Sequence, residues 1–304
     1  MVRNKRRCMK REPSGGMERR HNQVDLRTLL DTPPWDWPRD AGTIFQQILT
    51  DNKANESDRR IAAQLAGDFT VINNELCDAL LGIVSSADQS EQLRAAAAIS
   101  LGPVLEQADL EQADTDEFEN PDDVPISAPT FHRIRRVLHK LYSDERVPKE
   151  VRRRILEASV RSPQNWHQDA IGRAYSSGDR EWLLTAVFSM RRVRGFDDQI
   201  LEALKSGDPE IEYEAVKAAG NWELNSAWSH IIGLVHDPAT PKHLLLAAID
   251  AVACIRPREA RAILLALADS DDEEIAGAAE EAITIAEGSS GENDDDEDTN
   301  DWIN

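Results

Sequence analysis

Three stretches decide the fold: Arg60-Ile-Ala-Ala-Gln-Leu-Ala-Gly67, Arg94-Ala-Ala-Ala-Ala-Ile-Ser-Leu-Gly102 and Glu214-Ala-Val-Lys-Ala-Ala-Gly220. Each is alanine-rich, carries apolar residues at helical spacing and closes on a glycine, and almost nothing elsewhere alternates as a half-buried strand would. Aligned on Ala62, Ala97 and Ala215, they bring four further segments into one register, at Ile155, Ala186, Ala248 and Ala279. The steps between successive anchors are 35, 58, 31, 29, 33 and 31 residues. All but the 58 suit the repeat length of stacked helical hairpins. Three residues past the anchors stand Leu65, Ser100, Ala158, Ser189, Ala218, Ala251 and Ala282, mostly small enough to let helices approach closely. Seven past them stand Phe69, Val104, Ser162, Val193, Trp222, Ile255 and Ala286, which can plug the space between pairs. Asp208 before Pro209, Thr240 before Pro241, and Ser270 with Glu273 supply helix starts, while Gly67, Gly102 and Gly220 fall where helices should stop.

The three quoted stretches resemble HEAT repeats of the phycobilin-lyase type, and the resemblance spans about residues 40 to 287. It implies an all-α chain, a right-handed α-solenoid of about seven antiparallel helical pairs with one helix layer lining an extended concave surface. The third and fourth pairs depart from the pattern by lacking its terminal glycine. That family includes scaffolds, adaptors, chromophore-attachment proteins and a few enzymes, so the resemblance implies a fold more than a function.

Composition divides the chain further. Among 304 residues, Asp and Glu number 56 against 35 Lys and Arg, a net charge of −21, while a 40 % hydrophobic share is enough for a real core. The overall sign argues against a sequence-blind binder of nucleic acid or anionic membrane. Residues 1–39 read as a basic disordered arm ending in a Pro/Trp cap, Thr32-Pro-Pro-Trp-Asp-Trp-Pro38, folded over the first pair. Residues 40–287 form the repeats, interrupted by an acidic, extended insertion at 108–128, and 288–304 form a disordered acidic tail ending in Trp302 and Ile303. Cys8, Cys77 and Cys254 form neither a disulfide framework nor a zinc motif. No secretory h-region is present, and Leu244 to Ile255, interrupted by Asp250, is too short to span a membrane. A cytoplasmic protein is expected.

No phosphate-binding glycine loop, nucleophile elbow or His-Glu-x-x-His occurs, so no catalytic residue, cofactor or metal site is expected. HEAT-like deoxyhypusine hydroxylases carry repeated His-Glu pairs that ligate iron, and none of the seven histidines here precedes a glutamate. His230 with His236, and His132 with His139, read as surface or half-buried side chains. Trp166 with Asp169 and the nearby arginines invites comparison with HEAT-like alkylpurine DNA glycosylases, but the motif does not match residue by residue.

Basic residues gather in the middle. On a helix, Phe131, Ile134, Leu138 and Leu141 would form a buried stripe and leave Arg133, Arg136 and Lys140 on an exposed edge, with Arg135 beside them. Glu150 with Arg154, and Glu157 with Arg161, have the spacing and order of helical ion pairs. Arg191, Arg192 and Arg194 lie near a helix C-terminus with no acid between Glu181 and Asp197. The expectation is therefore a noncatalytic interaction scaffold or adaptor, not an enzyme. Arg133, Arg135, Arg136, Lys140, Arg191, Arg192 and Arg194 would bind a protein or acidic peptide, with the acidic loop able to shield them. A nucleic-acid-binding, glycosylase-like protein and a bilin lyase accessory protein are the alternatives.

Overall fold

The computed structural model describes residues 25–68, 70–113 and 125–291, and every regular element among them is helical. The basic arm before residue 25, Phe69, residues 114–124 of the acidic insertion and the tail from 292 lie outside the described residues.

Among the described residues seven helical pairs follow one another: α2 (Ala41–Thr50) with α3 (Glu56–Ala66), α4 (Asn74–Ser85) with α5 (Glu91–Ile99), and α7 (Ala128–Ser143) with α8 (Lys149–Ser159). Next come α9 (Trp166–Tyr175) with α10 (Arg180–Met190), α11 (Asp197–Ala203) with α12 (Pro209–Asn221), α13 (Trp228–His236) with α14 (Lys242–Ile255), and α15 (Pro257–Ala268) with α16 (Glu273–Gly291). A short α1 (Leu26–Leu30) precedes them, and α6 (Gly102–Ala113) is inserted after the second pair. No helix among the described residues is long and apolar enough to cross a membrane.

All seven anchor residues are fully buried. Each second helix packs on the next, α3 on α5, then α8, α10, α12, α14 and α16, whereas the first helices pack closely on one another only from α2 to α4 to α7. Small residues three past the anchors explain the tight row: Ser100, Ala158, Ser189, Ala218, Ala251 and Ala282 are all buried. Seven past the anchor, Trp222 works as a plug, its indole N–H donating to the Met190 carbonyl of the preceding pair at 2.6 Å.

Two side-chain devices recur in this register. Three residues before the anchor, Arg59, Arg94 and Arg152 each donate to a main-chain carbonyl ten residues earlier, at Leu49 (3.1 Å), Val84 (3.0 Å) and Tyr142 (2.9 Å). Each thereby satisfies a carbonyl that the end of the first helix would leave open. Six before the anchor, the first residue of one second helix reaches the N-cap of the next. Lys149 pairs with Asp179 at 3.0 Å, Arg180 with Asp208, and Lys242 with Asp272 at 2.8 Å; in the first pair Ser90 instead donates to Glu56. The three aspartates also accept main-chain N–H bonds from their own helices. The partner's cation is the chief cause that holds each carboxyl below its ordinary range.

Several local expectations need correction. Asp208 caps α12 as expected, but Thr240 donates its hydroxyl to Leu234 O and caps nothing. Asp272, not Ser270, caps α16, because its carboxylate can accept helix N–H groups and Lys242 together. Gly102 opens α6 instead of ending α5. Gly67 matters for contact: a Cβ there would lie 2.5 Å from the Ser100 carbonyl oxygen, where the ends of α3 and α5 meet. Residues 108 to 113 of the expected extended insertion are helical, as the last part of α6. Around the Pro/Trp segment a 3-10 turn forms, Trp37 packs edge-on against Phe45 of α2, and α1 packs on α3.

Candidate functional site

The seven central cations do not form one patch. Arg133 pairs with Asp78 of α4, Arg191 with Glu214 at 3.0 Å, and Arg192 with Glu106 of α6. Arg135 lies over the Phe131 ring at 5.0 Å, and Arg194 over the Trp222 ring at 4.4 Å. Arg136 and Lys140 are exposed and have no ion pair among the described residues. The first four residues belong to α7, a first helix, and the last three follow α10, a second helix, so the fold separates them. Tyr142 takes the buried place on α7 that the helical stripe gave to Leu141, which is half-buried.

Glu150 pairs with Arg154 at 2.8 Å as the spacing requires, but Glu157 does not meet Arg161. Arg161 lies beyond the end of α8, where helical spacing no longer applies, and binds Glu106 at 2.8 Å instead. Glu157 accepts from Arg154 and from Thr185. Burial opposes ionisation of Glu106, but hydrogen bonds and charge from Arg192 and Arg161 win and hold its carboxyl below the ordinary range.

One histidine lies beside a serine, and its proton placement decides what the pair can do. His167 is fully buried; its Nδ1 accepts from the Gln164 main-chain N–H at 2.9 Å, which puts the ring proton on Nε2, 3.0 Å from the Ser159 hydroxyl oxygen. The imidazole is therefore the donor and has no lone pair with which to activate Ser159. Burial first, then the charges of Arg135 and His139, push its pKa down to about 3, so it is neutral and structural. Trp166 packs between His139, at 4.7 Å, and Tyr142, at 5.1 Å. His230 bonds Glu212, and no group of three or more metal-ligating side chains occurs among the described residues.

The arrangement best suited to a ligand lies where the third and fourth pairs meet, at the edge carrying their internal turns. A cavity of about 300 Å³ there is lined by Tyr142 at the end of α7, Arg152 of α8, Arg173 of α9 and Trp182 of α10, with Ser143, Glu145 and Ser177 at its turns. Arg152 is held rigidly: its Nε donates to Tyr142 O, and its guanidinium lies 5.5 Å from the Tyr142 ring and 5.7 Å from the Trp182 ring. Neither the terminal nitrogens of Arg152 nor any part of the exposed Arg173 guanidinium has a hydrogen bond or ion pair among the described residues. Glu145 stands at the margin and pairs with neither. The two arginines both act on Tyr142, opposing the rise in its pKa that burial causes. Two helix C-termini and two helix N-termini meet here, so their dipoles oppose one another.

Sequence reasoning missed this site because, among the arginines from 152 to 161, it followed only Arg154 and Arg161, each as the partner of a glutamate at helical spacing. The usable signal was the register: Arg152 stands three before its anchor, as Arg59 and Arg94 do. Arg173 has no such signal, since its lack of a partner exists only in three dimensions.

No protein-family model matches the chain, and no curated protein matches it. Among solved structures the chain is similar to human deoxyhypusine hydroxylase in complex with glycerol, with 16 % identity, 86 % of this chain and 88 % of that chain covered, and a TM-score of 0.37. A likeness at that level transfers no activity. The expectation of a noncatalytic scaffold or adaptor that is not an enzyme is nonetheless corrected, because the solved structure it resembles is that of an enzyme. The nucleic-acid-binding and bilin lyase accessory alternatives gain nothing from the same finding.

Proposed function

We infer that the chain is a cytoplasmic, right-handed HEAT-like α-solenoid that binds an acidic polypeptide segment at the junction of its third and fourth pairs. Arg152 and Arg173 receive a carboxylate of that segment, and Tyr142 and Trp182 form the walls against which its aliphatic part rests. A single observation carries this reading: two guanidinium groups without acidic partners converge on one aromatic-walled cavity. Desolvated walls strengthen charge-assisted hydrogen bonds, and the bond from Arg152 to Tyr142 O removes much of the ordering cost. Exposed Arg136 and Lys140, on the helix that leads into the cavity, add long-range attraction for the same partner.

Fluorescence anisotropy of a labelled glutamate-rich peptide tests the assignment. Arg173→Ala should weaken binding roughly tenfold, as the loss of one charge-assisted hydrogen bond does. Replacing Arg136 and Lys140 together should mainly flatten the salt dependence. Equal affinity of the Arg173→Ala variant and the parent would remove the site.

A further inference from the structure

The two arginines of the cavity offer more donors than one carboxylate can use. Arg152 spends only its Nε on the Tyr142 carbonyl, at 2.9 Å, and its two terminal nitrogens are left for a ligand. Arg173 keeps its whole guanidinium. Asp169 stands one turn before it on α9, four residues away with the acid N-terminal, the order that favours an ion pair, yet no such pair forms among the described residues. Nearby acids are committed elsewhere: Asp144 to Arg146, Glu150 to Arg153 and Arg154, and both Asp179 and Glu181 to Lys149. Of the acids around the cavity only Glu145 lines it, and it is exposed, where water and salt screen its charge.

This surplus of donors selects the anion. A carboxylate has one charge and two oxygens, and a single guanidinium fork can engage both oxygens. The second arginine is then left with little to bind. A phosphate monoester carries about −1.5 to −2 charges near neutral pH on three free oxygens, so two guanidinium groups can bond it together.

The walls limit what carries the phosphate. Arg152 lies 5.5 Å from the Tyr142 ring and 5.7 Å from the Trp182 ring, and the two rings meet edge to face at 6.3 Å. An aryl phosphate would have to displace the guanidinium to stack between them. At about 300 Å³ the cavity is also at the small end of ligand sites. A short side chain suits it.

We propose that the acidic group bound by Arg152 and Arg173 is the phosphate of a phosphoserine or phosphothreonine in a polypeptide partner. This rests on the acidic-segment reading above and names the anion that uses both arginines. Phosphorylation of the partner then strengthens its capture.

The test uses the full chain and the labelled glutamate-rich peptide, its central residue replaced in turn by phosphoserine, phosphothreonine, phosphotyrosine and serine, read by fluorescence anisotropy. The phosphoserine or phosphothreonine peptide should bind about tenfold more tightly than the glutamate parent, the gain of one further charge-assisted hydrogen bond, and the phosphotyrosine and serine peptides should show no gain. Arg173→Ala should weaken that phosphopeptide about a hundredfold and the parent about tenfold, which erases the preference. If phosphopeptides and parent bind alike while Arg173→Ala weakens all of them equally, the phosphate proposal is overturned and the acidic-segment reading stands. A phosphotyrosine peptide as tight as the phosphoserine one would overturn the restriction to short side chains. Phosphatidic acid vesicles bound more tightly than either phosphopeptide would overturn a polypeptide as the source of the phosphate. If no peptide binds, both readings are overturned.

Discussion

Two grooves, one beside α1 and one between the third and fourth pairs, carry opposite charge. Where α1 meets the first pair, a cavity of about 610 Å³ is lined by Asp25, Asp51 and Asp58 with Leu26 and Ile48. Where the third pair meets the fourth, the corresponding edge presents Arg152 and Arg173. Both regions use an arginine three before the anchor to satisfy a carbonyl at the end of the first helix. In the first pair that arginine is buried, with its terminal nitrogens taken up by Leu49 O and Gln89, so carboxylates set the sign of the surface. In the third pair the carbonyl takes only Nε, and the rest of the guanidinium faces a cavity. The same packing device thus differs in what it leaves over: at Arg152 the outer guanidinium atoms face a cavity, while Arg59 and Arg94 are buried.

The largest effect that could break this comparison is on stability. Arg94→Met, in the second pair, leaves the Val84 carbonyl buried without its donor and should cost about 1 to 3 kcal/mol in urea unfolding. Arg152→Met should cost less than 1 kcal/mol, because the half-exposed site admits water to Tyr142 O, yet should abolish peptide binding. Equal destabilisation by both would show that Arg152 is only structural. Next, Arg173→Ala should leave unfolding unchanged within ~0.5 kcal/mol while weakening the acidic peptide.

A pH titration sharpens the contrast from another side. His167 is held near pKa 3 in the folded chain, below its ordinary 6.5, so the unfolded chain binds the extra proton between those values. Its contribution to stability is complete above pH 6.5 and falls as pH drops toward 3. Asp179, Asp208 and Asp272, whose pKa values are lowered, lose theirs only below the ordinary carboxylate range. Stability should therefore already decline between pH 6.5 and 5, and His167→Gln should flatten that part of the curve. The smallest effect belongs to the exposed links between pairs: Lys242→Met should lower the urea midpoint only slightly, as the loss of a surface ion pair does.

Much of this fold was legible before any coordinates, for a simple reason. Close helix contact demands small residues at fixed intervals, and such intervals survive in one dimension: Ala62, Ala97, Ile155, Ala186, Ala215, Ala248 and Ala279 are all buried. Charges behave otherwise. Arg191 and Arg192 stand in a run without acids, yet Glu214 and Glu106 reach them from 23 and 86 residues away. Arg152 sits among glutamates in sequence, yet none of them reaches its guanidinium. Helical spacing foretold Glu150 with Arg154 and failed for Arg161, which has left the helix. Which cation is available depends on partners that neither run nor spacing reveals.

Arginine footprinting with phenylglyoxal, read by mass spectrometry, tests the contrast between buried and available arginines in one experiment. Arg152 and Arg173 should react in the free protein and be protected by saturating acidic peptide, while Arg59 and Arg94 should remain unreactive throughout. Undiminished reaction of Arg152 and Arg173 under saturating peptide would contradict the account.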